Sequence, residues 1–201
     1  MAEMNDSFNE VTAEMLKVIS DYDSVTGFQG AYNIRQDSMC AGRKNSENIT
    51  IESKTDKPGI NIRVKPGTKG ETVYIPACVT HSNVDDLVYN DFFIGEGADV
   101  TIVAGCGVHS DGSETARHNG IHRFFLEKGA KVLYKEKHIG TGKGTGLRRI
   151  DPVTDAYLKE DSYLEMDTVQ RRGVDRTTRS TSAVLDKGCL LYTSDAADDL
   201  T

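Results

Sequence analysis

A corner unit recurs along this chain at a nearly constant step. Residues 118–140 read HNGIHRFFLEKGAKVLYKEKHIG: two apolar, strand-like runs meet at a tight corner, where Gly129 supplies the backbone freedom a sharp bend needs. The unit recurs at 91–104, DFFIGEGADVTIVA, with Gly97 at the corner, and at 155–169, DAYLKEDSYLEMDTV, with Asp161 there. Gly97 to Gly129 and Gly129 to Asp161 are each 32 positions, and the Lys65-Pro66-Gly67-Thr68 corner lies 30 before Gly97. A fourth start at 182–188, SAVLDKG, breaks off. A strand, corner, strand unit of about thirty residues stacks on copies of itself rather than closing into a globule. The expected fold is mainly β, a parallel β-helix built by residues 31–188.

The hydrophobic content of 37% is low for a closed globule of 201 residues, but it suits coils that bury one face of each strand. Ile49 and Ile51, then Ile60, Ile62 and Val64, then Val73 and Ile75, alternate with polar residues such as Asn61 and Arg63. Each fully buried aliphatic side chain contributes about 1.5–3 kcal/mol, so the stack rather than any single coil is stable. Residues 1–30 read as a short N-terminal helix and linker. Asn5, Asp6 and Ser7 offer N-cap side chains, Phe8, Val11, Met15 and Ile19 follow at helical spacing, and Gly27 and Gly30 mark the exit. This helix is expected to dock on the first coil. The turn-rich stretches 110–114 and 140–146 are expected to project as loops, with 143–149 mobile. Within residues 189–201, CLLYTSDAADD resembles the translation of a sequencing-library adapter. That segment is read as a cloning or assembly scar and set aside from fold and chemistry.

A net charge of -7 argues against a nucleic-acid groove, and the pairs Arg148-Arg149 and Arg171-Arg172 read as solvated loop. No apolar run approaches the roughly 18 residues of a membrane helix. MAEMNDSFNE lacks the basic and apolar regions of a secretory signal, and four cysteines without framework spacing point to a reducing compartment. The expected location is cytoplasmic. The glycine-rich 140–146 fails as a phosphate loop, because Gly144 follows Lys143 and Lys137 stands where the first glycine belongs. Thr145 likewise replaces the third glycine of a dinucleotide loop. Asp85-Asp86 reads as a turn, and no Ser-His-Asp arrangement can be assigned.

The run 115–169, with GAYNIR at 30–35 and KTDKPGI at 54–60, resembles the SufB/SufD family, in particular its shorter stand-alone members from anaerobes and archaea. The resemblance covers roughly 1–188. It implies a right-handed parallel β-helix that serves as a non-enzymatic scaffold for iron-sulfur cluster assembly. The implied partners are a SufC-type ABC ATPase and a SufB/SufD-type subunit, in a homo- or heterodimer, with the cluster carried transiently as cargo. Family members continue into further coils and a helical segment that grips the ATPase, so this chain reads as an N-terminal fragment.

Cluster assembly needs thiolate ligands for iron and a nucleophilic sulfur, with histidine as a secondary ligand. Two Cys-x-x-His pairs are present, Cys78 with His81 and Cys106 with His109, and both residues recur after 28 positions, near one coil. Stacked coils would bring the pairs onto one face about 4.8 Å apart. The alternative is plain packing, since buried cysteine behaves as a small hydrophobe and Ala77-Cys78-Val79 has the texture of core. Cys106 lies among glycines that leave room for close approach. The resemblance sets it beside the family's Glu-Gly-Cys cysteine, implying a sulfur acceptor; that role calls for a partly exposed thiol of lowered pKa. His118 and His122 would share a strand face, with surface or loop packing set against a metal or proton-transfer role. His138 reads as structural and Cys40 as incidental. Two other functional classes fit a solenoid: a β-helix carbohydrate-active enzyme of extracellular type, and a purely structural interaction surface.

Overall fold

The computed structural model describes residues 7–23 and 26–197. One helix, α1 (Glu10–Ile19), precedes sixteen strands: β1 (Ala31–Gln36), β2 (Met39–Lys44), β3 (Ile49–Ser53), β4 (Gly59–Val64), β5 (Lys69–Tyr74), β6 (Ala77–Val79), β7 (Asp85–Ile94), β8 (Asp99–His109), β9 (Ala116–Leu126), β10 (Lys131–Thr141), β11 (Arg148–Ile150), β12 (Val153–Leu158), β13 (Tyr163–Gln170), β14 (Arg176–Thr177), β15 (Ser180–Leu185) and β16 (Leu190–Ala197).

From β4 onward the chain alternates between two sheets. One runs β16-β13-β10-β8-β5-β1-β2, with β6 beside β1 and β8; the other holds β14-β11-β9-β7-β4-β3, with β12 between β9 and β15. Consecutive coils pair in parallel, so the chain is a β-solenoid of about 4 turns. Its first edge is built differently. β1 with β2 and β3 with β4 pair antiparallel, which closes that end of the stack with hairpin-like ribbons.

The predicted corners are real. Gly67, Gly97, Gly129, Asp161 and Gly188 all have positive φ, between 58° and 76°. They also bond to one another's coils: Gly97 N donates to Lys128 O at 2.9 Å and Gly129 N to Glu160 O at 3.0 Å. Between the sheets, Ile49, Ile51, Ile60, Ile62, Val64, Val73 and Ile75 join Phe92, Phe124 and Leu126 in one apolar core. The step of 32 aligns like with like: Phe92 stacks on Phe124 inside, at 4.5 Å between centroids, and Phe93 on Phe125 outside, at 5.1 Å.

Several expectations are corrected. The cap of α1 is Asn9, whose side chain accepts from Thr12 N at 2.9 Å. Ser7 lies before that cap, and Asn5 and Asp6 lie outside the described residues. The helix packs on the first coil, with Thr12 Oγ1 donating to Gln36 Oε1 at 2.8 Å, and reaches beyond it across the outer face of β6, β8 and β10, burying Met15, Leu16 and Ile19 against Ile34, Cys78 and Ile139. The stretches 110–114 and 140–146 do not project independently. Gly144 N donates to Ser110 O at 2.8 Å and Gly146 N to Gly112 O at 2.9 Å, so the second lies on the first as one more rung. Leu190–Ala197, in the segment set aside as a scar, is extended along β13 in parallel register. No helix among the described residues is long and apolar enough to cross a membrane.

Candidate functional site

Register decides which cysteine faces what. β6 meets β8 with Ala77 opposite Cys106 and Cys78 opposite Gly107, a step of 29 rather than the 28 that separates the two cysteines. Side chains alternate along a strand, so a slip of one residue sends them to opposite faces. Cys78 points outward beneath α1, among Met15, Leu16 and Ile19. Burial pushes its thiol up to about 12, against a smaller lowering from a Thr12 hydrogen bond. Cys106 points into the lumen, beside Ala77, Val79 and Val108.

The expected gathering of Cys78, His81, Cys106 and His109 is therefore overturned. The His81 side chain is 53% exposed, 3.7 Å from Asp37. His109 Nδ1 lies 2.9 Å from Thr141 Oγ1 at the far end of β8. Cys106 is not the partly exposed, acidified thiol that sulfur acceptance was expected to need. Burial pushes its pKa up, and the Glu136 carboxylate pushes it further.

A different set of groups surrounds Cys106. β8 and β10 run in register with Cys106 opposite His138 and Ala104 opposite Glu136. Glu136 and His138, two apart on β10, share the inward face. The donor atoms of Cys106, Glu136 and His138 lie within 4.8 Å of one another and all three residues are buried. Among the described residues this is the one group of three histidine, cysteine or acidic side chains that closes so tightly.

His138 and Glu136 are each held from behind. His138 Nδ1 lies 3.2 Å from Gln170 Oε1 on the next coil. An amide oxygen only accepts, so this contact puts a hydrogen on Nδ1 and turns Nε2 toward the lumen. Nε2 lies 3.3 Å from Glu136 Oε1, within ion-pair reach when the ring is protonated but outside hydrogen-bond geometry. Glu136 accepts from Tyr134 Oη at 3.1 Å and from Arg179 Nη2 at 2.7 Å. Burial alone would raise its pKa, but His138, Arg179 and His122 override that and hold the carboxyl well below the ordinary range.

His118 and His122 supply the opposite wall from β9. Both are buried in the lumen, neither at the surface nor in a loop. His118 Nδ1 meets Asp86 Oδ2 at 3.0 Å, and Asp86 also accepts from Ser38 Oγ at 3.0 Å and from Arg35 Nη2 at 2.6 Å. Asp86 is thus no turn residue: it is a fully buried carboxylate on β7. Burial pulls its pKa up, but hydrogen bonds and charge from His118 and Arg35 drive it far down. Neither ring nitrogen of His122 has a hydrogen-bond partner, and burial pulls its pKa down to about 4. A cavity of about 20 Å³ lies among Ala104, Cys106, Asn90, His118 and His122, room for one water or one ion.

Sequence reasoning passed over Glu136 and read His138 as structural. The usable signal was the step of 32. Cys106 to His138, Asp86 to His118 and Asn90 to His122 are each one full coil apart, whereas the 28 of the Cys-x-x-His pairs matches no coil.

No family model matches the chain, and no solved structure matches it. Curated proteins do. The chain is 33% identical over 98 residues, 48% of its length, to an iron-sulfur cluster assembly SufBD family protein of Archaeoglobus fulgidus, spanning 26% of that protein. It is 32% identical over 89 residues, 43% of its length, to a protein of the same family name from Methanothermobacter thermautotrophicus strain Winter, spanning 21% of it. A relative from strain Delta H of that species is 30% identical over 89 residues. The chain thus spans between about a fifth and a quarter of the length of the curated relatives it matches. Taken with the β-solenoid, these three matches support the SufBD family for the matched part, under half of the chain.

Proposed function

We propose that this chain is part of a non-enzymatic scaffold for iron-sulfur cluster assembly, acting in the cytoplasm with a SufC-type ABC ATPase and a second SufB/SufD-type subunit. Cys106 is the sulfur-handling residue in this reading, and the cluster is transient cargo. The observation that carries it is a buried thiol with a carboxylate and an imidazole within 4.8 Å, in a chain similar to cluster-assembly proteins. Thiolate and imidazole are the ligands iron-sulfur chemistry uses. Because Cys106 lies inside the coil stack, sulfur and iron reach it only when the stack opens. An ATPase partner would supply the work for that opening.

The test is anaerobic cluster reconstitution on the chain with Cys106→Ser, co-produced with a SufC-type ATPase and a SufB/SufD-type subunit. The expected result is loss of most cluster-associated iron, sulfide and visible absorption, with Cys40→Ser as an unaffected control. An unchanged cluster yield in Cys106→Ser removes Cys106 from the chemistry.

A further inference from the structure

Three potential metal ligands converge in the lumen, and one of them, His138 Nε2, has no hydrogen-bond partner. His138 Nε2 and Glu136 Oε1 face each other at 3.3 Å, with the Cys106 sulfur within 4.8 Å of both groups, and no hydrogen bond reaches Nε2. A buried polar atom without a hydrogen-bond partner is costly, and an imidazole nitrogen facing a carboxylate at that distance calls for a proton on the ring or a cation beside the pair. The opposite wall repeats the pattern. His122 has no partner on either nitrogen, Asn90 has none on Oδ1, and both line the 20 Å³ cavity that Cys106 also borders.

We propose that the lumen binds one divalent transition-metal ion through the Cys106 thiolate, a Glu136 carboxylate oxygen and His138 Nε2, with the His122 imidazole completing the set from the opposite sheet. The donor chemistry selects the class. One sulfur, one oxygen and two nitrogens suit Zn²⁺ or Fe²⁺ and disfavour Mg²⁺ or Ca²⁺, which take all-oxygen shells. The spacing is right as well. A tetrahedral ion with bonds of about 2.0–2.3 Å separates its donors by roughly 3.3–3.8 Å, so a triad within 4.8 Å contracts by at most about 1.5 Å.

The surroundings have the form of a metal site's outer shell. Gln170 fixes the His138 tautomer, and Tyr134 and Arg179 orient Glu136. On binding, the Cys106 S–H bond breaks, its proton leaves to solvent, and the sulfur lone pair bonds the metal. The site rests on lumen geometry and not on the cluster-assembly reading, since a resident metal would be present whether or not clusters are built.

The test uses the whole chain with Cys40→Ala and Cys189→Ala, so that the two less buried thiols cannot compete. Anaerobic titration with Co²⁺ is expected to saturate at one ion per chain, with a sulfur-to-cobalt charge-transfer band and tetrahedral d–d absorption. Zn²⁺ should displace it. Cys106→Ser abolishes the band, and His122→Phe and Gln170→Leu each weaken binding by about tenfold or more. X-ray absorption on the Zn²⁺ form, with Cys106 intact, should show one sulfur at about 2.3 Å among lighter donors. No saturable Co²⁺ binding, a band that survives Cys106→Ser, or a zinc shell without sulfur would each overturn the proposal. A metal site lost while the chain still supports clusters separates this inference from the assembly reading.

Discussion

Replacing Arg35 with methionine is expected to lower the unfolding free energy by about 3–5 kcal/mol, a large part of a small domain's stability. Arg35 holds Asp86 through Nε, at 3.0 Å to each carboxylate oxygen, and through Nη2 at 2.6 Å. Asp86 is fully buried and also carries His118 and Ser38. Without the guanidinium, a carboxylate remains inside the coil with only a hydroxyl and an imidazole, and the desolvation it has already suffered is no longer offset. Urea titration at neutral pH measures the loss. Adding Asp86→Leu to Arg35→Met should recover much of it, because an apolar pair leaves no charge stranded. If the single variant is as stable as the parent, the buried network does not contribute to holding the coils together.

Acidification should weaken the chain well before its surface carboxylates titrate. His122 has its pKa pulled down from 6.5 to about 4 by burial, so the unfolded chain binds its proton first as pH falls. Stability rises with pH wherever the unfolded state holds more protons, so this contribution is complete above about pH 6.5 and is lost as pH falls toward 4. The size is about 3 kcal/mol, from roughly 1.4 kcal/mol per pKa unit. Groups facing His122 modulate it: Glu136 opposes the shift, while His118, Arg179 and His138 add to it. Below that window, Asp86 and Glu136 take over, since their lowered pKa values make stability fall further as each is protonated. Urea midpoints from pH 7 to 4, taken with a chelator present, should show the slope. His122→Leu should flatten it between pH 6.5 and 4; an unchanged slope would place the titrating group elsewhere.

The fold was legible because its corners carry their own chemistry. Gly97, Gly129 and Asp161 occupy positive-φ corners spaced by one coil, and the alternating Ile49, Ile51, Ile60, Ile62 and Val64 lie in the core as their period of two requires. The antiparallel β1–β2 and β3–β4 pairs were not legible, because alternation looks the same in parallel and antiparallel strands. The site was read one residue out of register. Coils in this chain step by 29 residues near β6, by 32 from β8 to β13 and by 27 at the last, so the pairing of Cys78 with Cys106 by a step of 28 placed on one face two side chains that point oppositely. Asp85-Asp86 misled for a related reason. Two adjacent acids suggest a turn, yet on a strand one faces solvent and the other the lumen, where Arg35 and His118 neutralise it.

Sheet register puts Cys106 inside the coil and Cys78 outside it, beneath the helix. Leu16, fully buried on α1, clamps that helix without touching the lumen. The decisive measurement is the rate at which each thiol reacts with a small alkylating reagent, followed by mass spectrometry, in the parent and in Leu16→Glu. The account predicts that both Cys78 and Cys106 are protected in the parent. In the variant Cys78 labelling should speed up by roughly 10- to 100-fold, as the helix loses one buried leucine's worth of stabilisation, while Cys106 stays protected. Equal acceleration of both thiols, or release of Cys106 alone, would contradict it.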